Sequence, residues 1–303
     1  MSTTVGSGKY TYEVNDDWAK LPDGWQMPAA AVTVDSRDRV YCFNRTPDHP
    51  IVVFDRDGNY LSSWGAGLFK FPHTIRADAD DNLWIVDRDH AQMLLYTNTG
   101  TLLRTIGTRG YRSDTGVDPT DFSSTAYRNV THAGGPFNLP TDIALTPSGE
   151  MFMTDGYGNA RVHKFAADGT YRFSWGEPGS GPGQFALPHG VWIDRRGRVL
   201  VCDRENDRVQ IFDQNGKLQE IWRTKLIGPA ALYVDADDVV YIPEHNGGLV
   251  SVLTVDGEPL AQWGDPSFRS CHGIWGDSRG DLYVVRAGPW GRRRRVVKDV
   301  RVH

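Results

Sequence analysis

Three histidines stand at matching places in a repeated sequence pattern, and together they could bind a metal ion. Each ends a short segment that precedes an apolar strand, a polar turn and a second strand: Phe71-Pro72-His73, Leu187-Pro188-His189 and Ser270-Cys271-His272. The copies of the pattern between them lack the histidine. In a six-fold ring these copies alternate with the others, so the three imidazoles would converge on the axis. We therefore predict a trigonal metal site.

The donor set indicates which metal such a site would take. Three neutral imidazoles, with no thiolate or carboxylate among them, favour Zn²⁺, and Fe²⁺, Co²⁺ and Mn²⁺ stay open as alternatives. Three protein ligands leave coordination positions for a substrate, which is typical of a catalytic site. The competing interpretation, three ordinary turn histidines, is disfavoured because they occur on alternate copies and on no others.

The repeat that positions these histidines has six copies. Their starting residues are Pro28, Pro72, Pro140, Pro188, Pro229 and Cys271. Asp, Asn and Gly supply the backbone conformations that tight hairpins need, and β-rich segments without a convincing helix run between them. Four strands in about 40–50 residues, repeated six times, predict an all-β, six-bladed β-propeller of four-stranded antiparallel blades. The residues after the starting positions read Ala29, His73, Thr141, His189, Ala230 and His272.

We expect residues 1–303 to form a single propeller, because Gly and Pro are spread along the whole chain. The sixth copy runs out of chain, so residues 9–14 are expected to supply its outermost strand and close the ring. The copy that begins at Pro72 carries an insertion of about residues 109–136, rich in Gly, Ser, Thr and Asp. Loops of this length often serve function, and this one could cap the mouth of the ring.

Composition narrows the partners and the location. The net charge of −5 argues against nucleic acid as a partner, and no stretch reaches the roughly 18–20 apolar residues of a membrane span. A polar N-terminus and three sparse cysteines (Cys42, Cys202 and Cys271) predict a cytoplasmic protein with reduced thiols. The basic run at residues 292–295 is interpreted as a solvated strand or tail in preference to a phosphate- or membrane-binding patch.

More polar residues follow the second strand of each copy, where they can reach the same mouth. The acidic ones are interpreted as turn acceptors of backbone N–H groups: Asp87, Asp155 and Asp203. Beside such turns stand Arg45, Tyr157 and Arg204. An arginine there can hold a carboxylate through two hydrogen bonds. A tyrosine between cations can have its pKa lowered enough to act as a base.

At these residues the chain closely resembles peptidyl-α-hydroxyglycine α-amidating lyase, a family of NHL-repeat six-bladed propellers. The resemblance covers about residues 40–285 and rests on Phe43-Asn44-Arg45, Pro72-His73, Pro140-Thr141-Asp142, Asp155-Gly156-Tyr157, Pro188-His189 and Asp203-Arg204-Glu205-Asn206. It implies that zinc is held by His73, His189 and His272. It also implies Tyr157 as general base, Arg45 as binder of the substrate carboxylate and Arg204 as support for the tyrosinate.

The resemblance implies a zinc-dependent lyase that cleaves the C–N bond of a carbinolamide and releases glyoxylate. The expected substrate is a small or peptide-like molecule with a carboxylate, of the α-hydroxyglycine type or a related α-hydroxy acid derivative such as a ureidoglycolate-like molecule. Two departures stand out. Gly273 replaces an aspartate that helps to bind calcium in the family, so structural Ca²⁺ is doubtful here. Cys271 replaces a proline and would place a thiol near the metal.

Two other functions stay open. A metal-dependent hydrolase or lactonase could use metal-bound hydroxide to attack an ester, amide or lactone carbonyl. Calcium lactonases with propeller folds line the axis with carboxylates and asparagines, however, whereas this chain presents histidines. The other alternative is a non-catalytic NHL module that binds protein or RNA. The net charge and the histidine pattern both argue against that module.

Overall fold

The computed structural model describes residues 3–264, 270–287 and 295–303. Within them the chain forms six antiparallel sheets and two short 3₁₀ helices, Ala126–Asn129 and Arg204–Asn206. The predicted all-β, six-bladed propeller of four-stranded antiparallel sheets is confirmed. In the described part of the chain no helix has the length and apolarity that a membrane crossing requires.

The strands follow the repeat in chain order. The chain opens with β1 (Thr3–Ser7) and β2 (Tyr10–Asn15), which join the last sheet. The first sheet contains β3 (Ala29–Val34), β4 (Val40–Asn44), β5 (Ile51–Phe54) and β6 (Tyr60–Trp64). The second contains β7 (Pro72–Ala77), β8 (Leu83–Asp87), β9 (Gln92–Tyr96) and β10 (Leu102–Ile106). The third contains β11 (Pro140–Leu145), β12 (Met151–Asp155), β13 (Arg161–Phe165) and β14 (Tyr171–Trp175).

The fourth sheet contains β15 (Pro188–Ile193), β16 (Val199–Asp203), β17 (Arg208–Phe212) and β18 (Leu218–Ile221). The fifth contains β19 (Tyr233–Val234), β20 (Val239–Glu244), β21 (Leu249–Thr254) and β22 (Pro259–Gly264). The sixth contains β23 (Gly273–Gly276), β24 (Leu282–Arg286) and β25 (Arg295–Arg301), together with β2 and β1.

The N-terminal segment closes the sixth sheet, as predicted, but β2 is its fourth strand and β1 is the outermost, so the prediction of residues 9–14 as the outermost strand was wrong. β2 pairs antiparallel with β25, with Glu13 opposite Val300. β1 then pairs with the outer side of β2, with Val5 opposite Tyr12, so this sheet has five strands. The fifth strand was not predicted, because a short run of Thr, Gly and Ser carries little strand signal.

Buried apolar clusters hold the sheets together side by side. Six such clusters among the described residues each join two neighbouring sheets, and one of them joins the first sheet to the sixth. β8 and β16, each the second strand of its sheet, are buried along their whole length, because neighbouring sheets cover both of their faces. The outermost strand β6 is largely exposed. The ring is therefore closed by packing as well as by strand pairing.

Strand register corrects the predicted alignment of the first copy. The first residue of the inner strand pairs with the last residue of the next strand at Ala29–Asn44, Pro72–Asp87, Pro140–Asp155 and Pro188–Asp203. The residue equivalent to His73 in the first sheet is therefore Ala30, and the assignment of Ala29 was wrong. The offset arises because Pro28 precedes its strand, whereas in the next three sheets proline is itself the first strand residue.

The insertion lies between β10 and β11 and is packed against the turn that follows β12. Thr115 Oγ1 donates to the carbonyl of Gly158 at 2.6 Å, and Gly134 N donates to Asn159 Oδ1 at 3.1 Å.

Two further sequence predictions concern the cysteines and the basic run near the C-terminus. All three cysteines are buried. Of the basic run, residues 292–294 lie outside the described residues, and Arg295 begins β25.

Candidate metal centre

The three histidines come from alternate sheets and meet at the centre of the ring. His73 is the second residue of β7, His189 is the second residue of β15, and His272 directly precedes β23. All three side chains are buried. Their ring centroids lie 4.8 to 5.0 Å apart, and their ligand atoms lie within 4.8 Å of one another. The structure thus brings the three predicted ligands together as a group that could bind a metal ion.

Backbone carbonyls of the intervening sheets determine which nitrogen of each ring faces the centre. The Nδ1–carbonyl distances are 2.6 Å for His73 and Thr141, 2.6 Å for His189 and Ala230, and 2.7 Å for His272 and Ala30. Because a carbonyl oxygen can only accept, Nδ1 carries the proton and Nε2 is the atom that can bind a metal. All six sheets therefore contribute to the histidine group. Three sheets supply a histidine, and the other three supply the backbone carbonyl that orients its ring.

The surroundings keep the imidazole of His189 in the form that binds metals. Burial lowers the pKa of His189 well below its ordinary value, and the nearby charges of Arg204 and His73 lower it further. Neutral imidazole is the ligating form. Among the described residues no cysteine or carboxylate belongs to the group, so Cys271 is buried next to His272 without being one of its members. The donor set is therefore purely imidazole.

A narrow cavity lies beneath the histidines. It has a volume of about 30 Å³ and is lined by His189, His272 and the buried ion pair of Arg76 and Asp142, whose Nη2 and Oδ2 atoms are 3.2 Å apart. A space of this size holds about one water molecule. A substrate is therefore not expected to enter through this cavity, and Tyr157 is not among its lining residues.

Tyr157 stands between the histidine group and a guanidinium. Its hydroxyl lies 3.2 Å from His189 Nε2 and accepts a hydrogen bond from Arg204 Nη1 at 3.1 Å. The side chain is buried. It comes from the turn after β12, which is held by a hydrogen bond from Gly158 N to Asn138 O at 3.0 Å. The predicted base thus lies next to a predicted ligand, separated from it by 32 residues of sequence.

Arg204 is buried in the short 3₁₀ helix after β16 and is paired with its neighbour. Its Nε donates to Glu205 Oε1 at 2.8 Å. Burial acts to lower the pKa of Arg204, but Tyr157 and Glu205 outweigh it, so the pKa is raised and the side chain stays cationic. A fixed positive charge beside the phenol oxygen stabilises negative charge on that oxygen.

Arg45 lies at the mouth, close to the segment that leads into the first histidine. Its guanidinium is 4.0 Å from the centroid of the Phe71 ring, and its Nε donates to Pro72 O at 3.3 Å. The side chain is half-buried. Arg45, which follows β4 of the first sheet, therefore lies beside the strand that carries His73.

The acidic turn residues have the structural role predicted for them. Asp87 accepts a hydrogen bond from Phe71 N at 2.9 Å, Asp155 from Asn138 N at 2.7 Å, and Asp203 from Ala186 N at 2.8 Å. In each sheet this bond holds the segment that leads into the inner strand. Burial raises the pKa of Asp203 to about 6, although its hydrogen bonds oppose the shift. These carboxylates position the strands that carry the site.

Sequence reasoning missed Arg88, which also borders the site. It directly follows β8, as Arg45 follows β4 and Arg204 follows β16. Its buried guanidinium lies 4.8 Å from the centroid of the Tyr157 ring and 3.9 Å from that of Phe71. Its matching position in the repeat was the signal that could have identified it.

Sequence reasoning also missed a hydrogen-bond chain that joins the insertion to the site. Tyr127, in the 3₁₀ helix Ala126–Asn129, donates its hydroxyl to Glu205 Oε2 at 3.2 Å. Glu205 in turn accepts from Arg204, and Arg204 donates to Tyr157. This series of hydrogen bonds ends at Tyr157 Oη, 3.2 Å from His189 Nε2. The insertion therefore helps to hold the candidate base in place.

We expect the Glu205→Gln variant to lower kcat for the lyase reaction that the resemblance implies about 10-fold, because a charged hydrogen bond that aligns Arg204 is worth about 1.5–3 kcal/mol. The check is steady-state turnover together with the midpoint of thermal unfolding. Glu220→Gln, an exposed glutamate of β18, is the matched control and leaves kcat unchanged. A Glu205→Gln protein with full kcat would contradict a role for these hydrogen bonds in positioning Tyr157.

Comparison with known proteins identifies a matching family model and several relatives of the chain. A family model described as NHL repeat matches residues 185–212. NHL repeat-containing protein 3 of Mus musculus is 30% identical over 251 residues, which are 78% of this chain and 67% of that protein. Peptidyl-α-hydroxyglycine α-amidating lyase 1 of Drosophila melanogaster is 28% identical over 244 residues, which are 77% of this chain and 40% of that protein.

Solved structures show the same fold at lower sequence identity. A gluconolactonase from Xanthomonas campestris superposes with a TM-score of 0.66 at 12% identity, covering 99% of this chain and 95% of that one.

The chain spans only 58% of the Homo sapiens form of NHL repeat-containing protein 3. Together the repeat, the closed ring of six sheets and these similarities lead to one conclusion. The chain belongs to the NHL-repeat six-bladed β-propeller family, and its relatives include the peptidyl-α-hydroxyglycine α-amidating lyases.

Proposed function

We propose that this protein is a metal-dependent carbon–nitrogen lyase. Its substrate is a carbinolamide of the α-hydroxyglycine type, or a related small α-hydroxy acid derivative, and glyoxylate is released. One observation carries the proposal: Tyr157 Oη lies 3.2 Å from a ligand nitrogen of the histidine group and 3.1 Å from Arg204 Nη1. Removal of a hydroxyl proton needs a proton acceptor beside a Lewis-acid site. The similarity to an α-amidating lyase over 77% of the chain supports the same chemistry.

We propose zinc as the metal held by His73, His189 and His272. The residues fit such an ion, because their Nδ1 protons are engaged by carbonyls and their ligand atoms lie within 4.8 Å of one another. Three imidazoles favour Zn²⁺, and Fe²⁺, Co²⁺ and Mn²⁺ are the alternatives. A bound dication supplies Lewis-acid stabilisation of the negative charge that develops on the substrate oxygen.

The protein's own groups account for the proton movements. In its ionised form Tyr157 takes the proton of the substrate hydroxyl. The electron pair left on that oxygen forms the carbonyl of glyoxylate while the C–N bond breaks. The departing amide nitrogen takes up the proton that Tyr157 removed, which leaves a free amide and returns Tyr157 to its ionised form, so the step balances without an oxidant or a reductant. Arg204 stabilises the ionised phenol through its hydrogen bond to Oη.

We propose that Arg45 binds the carboxylate of the substrate. The contact of its guanidinium with the Phe71 ring, 4.0 Å from the ring centroid, holds the planar group near the strand that carries His73. A guanidinium in such a position can hold a carboxylate through two parallel hydrogen bonds. The substrate is accordingly a small or peptide-like molecule with a free carboxylate next to the hydroxylated carbon.

The proposal is tested by glyoxylate release from N-butyryl-α-hydroxyglycine. We expect turnover by metal-loaded protein, loss of turnover after a chelator removes the metal, and recovery when zinc is restored. Hydrolysis of gluconolactone without glyoxylate release would point to the lactonase alternative instead. Absence of both activities, with tight binding of protein or RNA by metal-free chain, would leave the non-catalytic module as the better reading.

A further inference from the structure

Beneath the histidine group lies a second layer of side chains, which the repeat also positions. The residue three places after each histidine belongs to this layer: Arg76 after His73, Trp192 after His189 and Trp275 after His272. Cζ of Arg76 lies 4.7 Å from the centroid of the Trp192 ring and 5.6 Å from that of Trp275. Arg76 and Trp275 also line the narrow cavity next to the histidines. The cation of this layer therefore packs against the strands that belong to the other two histidines.

Arg76 and Asp142 together bind the backbone of the strand that carries His189. Arg76 Nη2 donates to Asp142 Oδ2 at 3.2 Å and to the carbonyl of Val191 at 3.1 Å. Asp142 Oδ2 accepts a hydrogen bond from Val191 N at 3.0 Å. Val191 lies on β15, two residues after His189, and β15 is an edge strand of its sheet. The ion pair thus binds both backbone groups of one residue, in the place that a neighbouring strand would take.

The same ion pair joins the strand of His73 to the sheet whose carbonyl orients that histidine. Arg76 lies on β7, three residues after His73, and Asp142 lies on β11, directly after Thr141. The carbonyl of Thr141 accepts the Nδ1 proton of His73 at 2.6 Å. One buried pair therefore links β7, β11 and β15, and the contact between Arg76 and Trp275 extends the link to β23.

The stability of the fold does not by itself account for this ion pair. The side chains of Arg76 and Asp142 are 9% and 5% exposed. Burial raises the pKa of Asp142 and lowers the pKa of Arg76, although the charge of each partner opposes the shift of the other. A buried ion pair is often no more stabilising than apolar side chains of similar volume. What charged hydrogen bonds add is a fixed direction between the strands that they join.

We propose that Arg76 and Asp142 are positioning residues of the metal centre: they fix the placement of the three histidine strands and so set the affinity of the histidine group for its metal. The inference rests on the proposed function, because it concerns the metal that this function uses. Three ligands from three sheets must meet at one point, and the pair lies in the layer that holds their strands together. Residues that orient metal ligands in this way typically contribute about 10- to 100-fold to metal affinity.

The test compares Zn²⁺ affinity, measured by competition with a chromogenic chelator, between wild type and Arg76→Met. We expect the variant to bind zinc about 10- to 100-fold more weakly. Its Co²⁺-loaded form is expected to show a shifted visible absorption spectrum, because that spectrum depends on the arrangement of the ligands. Arg76→Lys keeps the charge without the planar fork and is expected to recover part of the affinity.

Lys298→Met is the matched control. Lys298 forms an ion pair of similar burial, with its Nζ 3.0 Å from Asp281 Oδ2 and side chains that are 7% and 9% exposed. It also lies over an aromatic ring, 5.3 Å from the centroid of Tyr283. Because this pair lies on the third strand of its sheet and the preceding turn, we expect a lower unfolding temperature but zinc affinity within about twofold of wild type.

The double variant Arg76→Met/Asp142→Asn separates a positioning role from a purely structural one. It removes both buried charges, so its unfolding temperature is expected to recover relative to Arg76→Met and Asp142→Asn. Its zinc affinity is expected to stay about 10-fold or more below that of wild type, because Val191 O has lost its charged donor. Recovery of zinc affinity together with the unfolding temperature would overturn the proposal.

Failure of the proposed function looks different. A wild type that takes up no metal would refute the metal site, and a zinc-loaded wild type without glyoxylate release would refute the reaction without affecting the comparison of affinities. In metal-free protein, proton NMR of the Nδ1–H of His73 tests the pair directly. Exchange of this proton with water is expected to be about 10-fold faster in Arg76→Met than in Lys298→Met. Equal exchange in the two variants would overturn the positioning role. If Arg76→Met does not fold, Arg76→Lys and the double variant take its place in both measurements.

Discussion

We expect the His189→Ala variant to purify with almost no transition metal, whereas wild type carries about one ion per chain. A site with three protein ligands loses most of its affinity when one ligand is removed, because the remaining two imidazoles compete poorly with water. Glyoxylate release is expected to fall with the metal content. The measurement is elemental mass spectrometry on untagged protein, repeated after incubation with zinc and removal of the excess.

The matched control is His132→Ala. His132 lies in the insertion, and its side chain is 54% exposed, so its loss removes an imidazole without touching the buried group. This control is expected to keep the wild-type metal content. Equal metal in His189→Ala and wild type would show that the ion binds elsewhere. A wild type that takes up no metal after reconstitution would make the three histidines structural and favour the binding-module alternative.

The Tyr157→Phe variant is expected to keep its metal and its fold but to lose about 10²–10⁴ in kcat. The substitution removes only the hydroxyl that lies between His189 Nε2 and Arg204 Nη1, so the proton of the substrate hydroxyl has no acceptor. Because substrate binding does not depend on that proton transfer, KM is expected to change much less than kcat. Steady-state glyoxylate release and metal analysis on the same preparation check both parts.

Tyr111→Phe is the control for this experiment. Tyr111 also lies in the insertion and is 57% exposed, so its hydroxyl can be removed without effect on the site. A Tyr157→Phe protein with the kcat of wild type would exclude Tyr157 as the base. A variant that loses metal as well as activity would instead show that the phenol supports the histidine group, and the assignment of the base would fail.

Much of the site could be predicted because a propeller turns a position in a repeat into a position in space. His73, His189 and His272 occupy one place in alternate copies, and a closed ring makes such residues converge. The same logic predicted the acidic acceptors after the second strands and the N-terminal strand that completes the last sheet. It was wrong by one residue in the first sheet, where Ala29 was assigned to the position equivalent to His73. The reason is that proline precedes this strand and is not its first residue.

Contacts between unlike copies could not be predicted in this way. The insertion has no counterpart in the other repeats, so no periodicity indicated that Tyr127 would reach Glu205, which lies 78 residues later. Arg88 was visible as an arginine after a second strand, but its place over the Tyr157 ring depends on how two sheets are oriented around the axis.

The sequence by itself determined the six sheets, their turns and the three histidines that meet, since these follow from local strand patterns and from repeat symmetry. Only the tertiary structure decided which carbonyl orients each imidazole, as Ala30 does for His272 across 242 residues. It also decided that Tyr157 lies between His189 and Arg204. Side-chain contacts of this kind depend on distances between neighbouring sheets, and those distances exist only once the ring has closed.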